Sequence, residues 1–114
     1  MFKELKAKLL QQNVTLVAVS KTRPVEAIQA LYDEGHLDFG ENKVQEMVEK
    51  QAQLPEDIRW HLIGHLQRNK VKYIAPFVHL IHSVESLKLL VEINKQASKH
   101  NRVIDCLLQV KIAS

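Results

Sequence analysis

The sequence predicts an α/β fold in which parallel β-strands alternate with α-helices. Short segments rich in β-branched residues alternate along the 114 residues with segments whose apolar residues recur at helical spacing. Polar residues follow the end of every strand-like segment. The alternation is typical of a parallel sheet covered by helices. A hydrophobic content of 46% and a charged content of 25% are ordinary for one globular domain, which we expect to span residues 1–114.

The first strand–helix unit begins with a strand predicted at residues 14–20. Pro24 suits the first turn of the helix that follows, and Gly35 suits its end. The charged N-terminus lacks the apolar stretch of a signal peptide. The sequence also has no stretch near the ~18 apolar residues that would span a bilayer, so no membrane partner is expected.

The second unit combines a brief strand at residues 37–39 with a helix that ends before Pro55. Asn42 is expected to cap this helix as part of a capping box. Glu46 and Lys50 lie one turn apart and are expected to form an ion pair.

Three more strands complete the pattern. They are predicted at residues 59–63, 78–82 and 103–112, with one helix over residues 67–75 and another that begins after a cap at Ser83 or Ser86. Parallel connections of this kind leave two architectures open, a doubly wound open sheet and part of a (β/α)8 barrel.

Lys21 is the sharpest candidate for a functional residue. Side chains alternate along a strand, so Val17, Val19 and Lys21 share one face. If the two valines fill a barrel interior, the lysine stands partly dehydrated at its mouth, which would activate its amine for Schiff-base formation. The simpler alternative is a solvated lysine that ends a strand.

Other polar residues are expected at the same sheet edge, where ligands bind in both architectures. His65 follows the third strand, His82 ends the fourth and Gln109 lies on the fifth, so all three are possible lining residues. Asn42 could turn its amide towards a ligand as well as cap a helix. Glu41 is expected to be a solvated loop charge.

No metal site is predicted from the six histidines. His61 and His65 are four residues apart but flank a glycine outside any predicted helix, where the spacing of a helical zinc motif does not apply. His79 and His82 are expected to point to opposite faces of their strand.

The remaining features favour no other class of function. The basic strip at Arg68, Lys70 and Lys72 is too short to predict nucleic-acid binding, although the net charge of +3 would suit a phosphorylated ligand. Cys106, the only cysteine, lies in an apolar segment, is expected to pack in the core, and fits a reducing cytoplasm. No glycine-rich dinucleotide fingerprint follows the first strand.

Five segments together resemble the pyridoxal 5′-phosphate (PLP) homeostasis protein family, in the family's order and spacing. They are residues 16–22, 39–46, 60–70, 81–84 and 107–110. The resemblance implies a (β/α)8 TIM barrel of the alanine racemase N-terminal type, of which about the first five βα units are present.

The resemblance also implies a cofactor and a role. Lys21 would carry PLP as an internal aldimine, and Asn42 would lie beside the cofactor ring. The family is regarded as acting in intracellular PLP and amino-acid homeostasis without an established turnover. Two alternatives remain: a fold-type III racemase or decarboxylase using His65, His82 or Glu41 as acid/base, and a scaffold that no longer retains PLP.

The sequence departs from the family pattern in length. Five strands cannot close a barrel of eight, and the family's phosphate-holding segments would lie beyond Ser114. Lys111 replaces an expected small polar residue. The first and fifth strands would leave unpaired edges, so self-association of the chain is expected.

Overall fold

A computed structural model describes residues 2–12 and 14–108 of the chain, as five parallel strands and five helices within these ranges. The helices are α1 (Phe2–Gln11), α2 (Val25–Asp33), α3 (Val44–Gln51), α4 (Val71–Ile74, preceded by a 3-10 turn at Arg68–Lys70) and α5 (Leu87–Lys99); the strands are β1 (Ala18–Val19), β2 (Asp38–Glu41), β3 (Arg59–Leu62), β4 (Leu80–Val84) and β5 (Asp105–Leu108).

The five strands form one sheet in the order β1-β2-β3-β4-β5, and every pairing is parallel. The order is consecutive, without the reversal that gives a doubly wound sheet its switch point. Among the two architectures left open by the sequence, this topology favours the barrel type. The carboxyl ends of all five strands consequently lie along one edge.

The hydrophobic core lies between the sheet and the helices. Phe39 and Trp60 are at most 1% exposed on the helix-facing side of neighbouring strands, where they pack against each other. Ile28 of α2 and Met47 of α3 are buried in the same cluster. Because side chains alternate, Asp38 and the neighbours of Trp60 face the opposite side of the sheet. That second face carries the polar residues described below.

The predicted alternation is confirmed, but several boundaries were wrong. The first strand is confined to two residues, since β1 pairs only with β2 among the described residues. The second and fourth strands extend two residues further towards the carboxyl edge than predicted. The helix predicted over residues 67–75 is a 3-10 turn followed by a single α-helical turn. The fifth strand is described as far as Leu108, and the rest of its predicted span lies outside the described residues.

The predicted helix ends are confirmed at Gly35 and Ser86, but the prediction at Asn42 was wrong. Gly35 has φ +98°, as a residue that follows a helix often does, and Ser86 accepts a hydrogen bond from the Leu89 amide as a true N-cap. Asn42 is not the cap of α3: the N-cap is Lys43, which has no side-chain capping bond. Helix α1 was not predicted. Among the described residues, no helix is long and apolar enough to cross a membrane.

Candidate ligand site at the strand ends

Lys21 lies two residues beyond the end of β1, at the carboxyl edge of the sheet as predicted, but its side chain is exposed. The expected dehydration is therefore absent from this structure. Val19, expected to form part of an apolar floor, is 54% exposed. The inner face of β1 has no cover from the described residues, which explains both exposures.

The residue after Lys21 has a strained backbone. Thr22 has φ +61°, in the left-handed region that β-branched residues rarely adopt. A conformation of this kind costs on the order of 1–3 kcal/mol and persists only where neighbouring contacts impose it. Here the Thr22 amide donates a 2.7 Å hydrogen bond to Glu46 Oε2 in α3. The helix therefore holds the turn that carries Lys21.

A buried ion network lies beneath this turn. Lys50 of α3, only 6% exposed, donates to the carbonyl of Ser20 at 2.7 Å, to Glu41 Oε2 at 2.9 Å and to Glu46 Oε2 at 2.7 Å. Ser20 also donates its hydroxyl to the Glu41 carboxylate. An ammonium group has three N–H donors, so all those of Lys50 are used. The predicted Glu46–Lys50 pair is confirmed as one part of this larger network.

Glu41 is not the solvated loop charge that the sequence suggested. Its side chain is fully buried on the helix side of β2 and pairs with Lys50. Its second oxygen, Oε1, is buried without a hydrogen-bond partner among the described residues. The error arose because the sequence places Glu41 just after a short predicted strand, whereas β2 in fact includes it.

Asn42 and His65 are brought together, as expected for residues at neighbouring strand ends. Both line a groove of about 560 Å³ between α3 and α4. Gly64 is in close contact with the loop that contains Asn42, since a Cβ added to Gly64 would lie 2.6 Å from the Asn42 carbonyl oxygen. Asn42 is half-buried and His65 is exposed. Lys21 does not line this groove. The structure therefore does not place Asn42, His65 and Lys21 around one cavity.

His82 belongs to a second group of polar residues, on the inner face of the sheet. This group borders a cavity of about 430 Å³. Asp38 forms a bidentate ion pair with Arg59, with N–O distances of 2.9 and 2.8 Å. His61 Nε2 lies 3.0 Å from Asp38 Oδ1, and its Nδ1 lies 3.0 Å from His82 Nε2. The carboxylate can only accept, so Nε2 of His61 donates to it, and Nδ1 of His61 shares a hydrogen bond with Nε2 of His82.

His79 and His82 do not point to opposite faces, so that prediction was wrong. Their rings lie 5.4 and 5.2 Å from the ring of His61, and both residues line the same cavity. His79 precedes β4, and an irregular register between Ile81 and Val84 breaks simple alternation in this strand.

Three of these groups have the spacing of metal ligands. One ligand atom from each of Asp38, His61 and His79 lies within 4.8 Å of the others. However, both oxygens of Asp38 accept from Arg59, and both ring nitrogens of His61 are hydrogen-bonded. A cation would have to compete with this guanidinium, so the hydrogen-bond network accounts for the cluster better than a metal does.

Burial and neighbouring charges shift the pKa values of Asp38, His79 and His82. Burial alone would raise the pKa of Asp38, but the hydrogen bonds from His61 and Arg59 outweigh it and hold that pKa far below its ordinary range. Burial and the nearby His61 lower the pKa of both His79 and His82. Asp38 is therefore ionised, and both imidazoles are predominantly neutral at pH 7.

The other candidate residues have simpler outcomes. Gln109 and Lys111 lie outside the described residues. Arg68, Lys70 and Lys72 are exposed, as expected of a solvated strip. Cys106 is half-buried against the core, and burial raises the pKa of its thiol.

Sequence reasoning missed Lys50 as part of the site. Its pairing with Glu46 was visible at i,i+4 spacing, but its bonds to Ser20 and Glu41 depend on the packing of α3 against β1 and β2. An available signal was its helical spacing from Met47, since a lysine one turn from a buried methionine is directed towards the core.

One family model matches nearly the whole chain. Residues 2–113 match the model described as alanine racemase, N-terminal domain. The match agrees with the consecutive parallel sheet and supports a TIM-barrel-type α/β fold.

Curated relatives share the name pyridoxal phosphate homeostasis protein. Identity is 46% over 98 residues with the protein of Aquifex aeolicus and 36% over 106 residues with that of Escherichia coli K12. These alignments cover 85% and 90% of this chain but 43% and 45% of the relatives. The chain thus spans about half the length of the curated relatives it matches.

Solved structures of PipY from Synechococcus elongatus PCC7942 are similar as well. The structure without PLP has a TM-score of 0.85 at 39% identity, and covers 100% of this chain and 55% of PipY. The structure with PLP bound has a TM-score of 0.84 at 40% identity, with 99% and 56% covered. The chain therefore belongs to the alanine racemase N-terminal domain family, and its resemblance to the pyridoxal phosphate homeostasis proteins is confirmed.

Proposed function

We propose that this chain binds PLP covalently through Lys21 and acts in intracellular PLP and amino-acid homeostasis without catalytic turnover. One observation carries the proposal: an exposed lysine stands at the carboxyl edge of a parallel sheet, on a strained turn that a buried ion network holds. The solved PLP-bound form of PipY, at 40% identity, lends it support.

The exposed amine of Lys21 fits an aldehyde cofactor. PLP supplies an aldehyde, whose carbon forms a C=N bond with Nζ while its oxygen leaves as water. This step needs an accessible amine, and it is favoured where the backbone that carries the amine has a fixed position. The bonds to the Ser20 carbonyl and the Thr22 amide hold the backbone of Lys21 in this way.

Asn42 is proposed to lie beside the cofactor ring. It follows β2, the strand that pairs with β1, so its backbone and that of Lys21 stand at neighbouring strand ends. Gly64 fixes the backbone of Asn42 by close approach. The amide can then offer a hydrogen bond from a defined place.

The positions of the three acid/base candidates favour a binding protein over a fold-type III racemase or decarboxylase. Glu41 is buried on the helix side of the sheet and paired with Lys50. His82 bonds to His61 on the inner face, and His65 lines the groove between α3 and α4. A general acid or base must reach the proton it transfers, and among the described residues none of the three forms a hydrogen bond or ion pair with Lys21.

Absorbance titration of the chain with PLP tests the proposal. We expect saturable formation of a lysine-bound chromophore, and at least about tenfold weaker binding in Lys21→Ala, since a covalent bond is lost. Lys99→Ala is the matched control, because Lys99 is also exposed but is the last residue of α5 and borders neither cavity. Equal binding by both variants would contradict the assignment of Lys21. No saturable binding by the unaltered chain would favour a scaffold that does not retain PLP.

A further inference from the structure

The turn that carries Lys21 is tied to helix α3 at two points. The carbonyl of Ser20, immediately before Lys21, accepts from Lys50 Nζ at 2.7 Å. The amide of Thr22, immediately after it, donates to Glu46 Oε2 at 2.7 Å. Lys21 therefore lies between two backbone groups that are each bound to a charged side chain of one helix.

These two ties are linked to each other. Glu46 Oε2 accepts from Lys50 Nζ at 2.7 Å as well as from Thr22. Lys50 also donates to Glu41 Oε2, and Glu41 is fully buried at the end of β2. A buried lysine is rare without full pairing, and hydrogen bonds to charged groups are about twice as strong as neutral ones. The strained φ of Thr22 is the conformation that these bonds maintain.

We propose that Glu46 and Lys50, anchored by Glu41, are positioning residues that fix the place of the Lys21 amine for cofactor capture. The inference rests on the proposed function. Glu46 and Lys50 act through the backbone on either side of Lys21, and Glu41 acts through Lys50 and the Ser20 hydroxyl. None of the three is assigned a contact with the cofactor. The neighbouring helix is thereby coupled to the reactivity of Lys21 through the backbone of Ser20 and Thr22.

Helix α3 itself offers a control. Glu49 is an exposed glutamate of the same helix; among the described residues its side chain bonds only to Gln45, and its backbone carbonyl accepts from Gln53. Its replacement removes the same charge from the same helix without touching the turn. Glu46 is partly exposed, at 26%, so Glu46→Ala is expected to fold.

The test compares Glu46→Ala, Glu46→Gln and Glu49→Ala by two measurements. The first is the hydrogen-exchange rate of the Thr22 amide, which needs no cofactor. The second is the fraction of PLP trapped on Lys21 by borohydride at a fixed PLP concentration. Glu46→Ala should speed Thr22 exchange about tenfold, the usual effect of losing one hydrogen bond to a charged group, and lower Lys21 trapping several-fold. Glu46→Gln retains an acceptor oxygen, so its Thr22 exchange rate and its Lys21 trapping should lie between those of Glu46→Ala and the unaltered chain. Glu49→Ala should change neither the exchange rate nor the trapping.

Two outcomes would overturn the inference. Thr22 exchange could be unchanged in Glu46→Ala, which would mean that Glu46 does not hold the turn. Alternatively, exchange could accelerate while Lys21 trapping stays at the level of Glu49→Ala, which would mean that the turn does not position the amine. If the unaltered chain traps no PLP on Lys21, the proposed function fails, and the claim that Glu46 holds the turn is decided by the exchange rate alone.

Discussion

Asp38 is an ionised residue that lies almost entirely out of contact with water. It is 4% exposed, yet it is ionised because Arg59 binds it through two nitrogens and His61 through a third. Removing one partner from a buried ion pair leaves an uncompensated charge, so such groups weigh heavily in stability. Their contribution also depends on pH.

Stability should therefore fall in acid through Asp38. Its folded-state pKa lies below the unfolded value of 3.8, so the stabilisation is complete above that value and is lost as the pH falls through and below it. Urea unfolding between pH 6 and about pH 3 should show a steeper loss for the unaltered chain than for Asp38→Asn. Asp33→Asn, at an exposed aspartate, is the control. Parallel curves for all three proteins would contradict this origin of the acid sensitivity.

At the level of residues, the sequence predicted best the features that depend only on nearby positions along the chain. Lys21 and Asn42 were located at strand ends from the alternation alone, and the Glu46–Lys50 pair followed from helical spacing. Burial was harder to predict, because it depends on which elements pack together. Glu41 was misjudged for that reason, and of the two alternatives kept for Lys21 the structure shows the solvated one.

The contact between the loop after β2 and the loop after β3 is the tightest backbone approach around a described glycine. A Cβ on Gly64 would lie 2.6 Å from the carbonyl oxygen of Asn42 and 3.0 Å from its Cα. Backbone atoms cannot rotate away as a side chain can. Glycine at this position is therefore required by the packing of two loops, while its own φ is not positive.

Gly64→Ala should consequently displace the loop that carries Asn42. We expect a loss of stability on the order of 1–3 kcal/mol, typical of overpacking, together with weaker PLP binding. Gly40→Ala is the comparison: its Cβ would meet only the side chains of Ile63 and Val17, at 3.2 Å, and these can adjust. Thermal unfolding of both variants tests the difference. A larger loss in Gly40→Ala than in Gly64→Ala would contradict the role of backbone contact.

At the level of elements, type was easier to predict than extent. Hydrophobic periodicity identified all five described strands, because the spacing of apolar residues along the chain does not depend on which elements pack together. Strand ends depend on hydrogen-bonded partners, which explains why β1 is shorter and β2 longer than predicted. The predicted cap at Asn42 failed for the same reason: β2 continues to Glu41, and the following loop packs against Gly64 before α3 begins.

The whole molecule has two sheet edges that the described residues leave unpaired, one at β1 and one at β5. Large apolar side chains are exposed beside them: Val19 at 54%, Leu107 at 51% and Leu108 at 62%. Unpaired edges with apolar neighbours are templates for strand addition. Parallel pairing, by contrast, followed from the strand–helix alternation, whereas the consecutive order of a barrel was implied only by the family resemblance.

The 114-residue chain is therefore expected to self-associate in solution. A lysine at a strand edge opposes such pairing, so Leu108→Lys should shift the chain towards monomer. Tyr73→Lys is the control, because Tyr73 is 50% exposed but belongs to α4. This helix connects β3 to β4 along the chain, and neither is an edge strand. Sedimentation velocity over a range of protein concentrations measures the effect. A monomeric unaltered chain at all concentrations would refute this expectation.

Peptide mass spectrometry tests most directly whether Lys21 is the cofactor-binding amine. The chain is incubated with PLP, reduced with borohydride and digested, and the modified lysine is identified. We predict a single dominant adduct on Lys21 that is absent from Lys21→Ala. Adducts spread over the exposed lysines in proportion to their accessibility, with no preference for Lys21, would contradict the central claim.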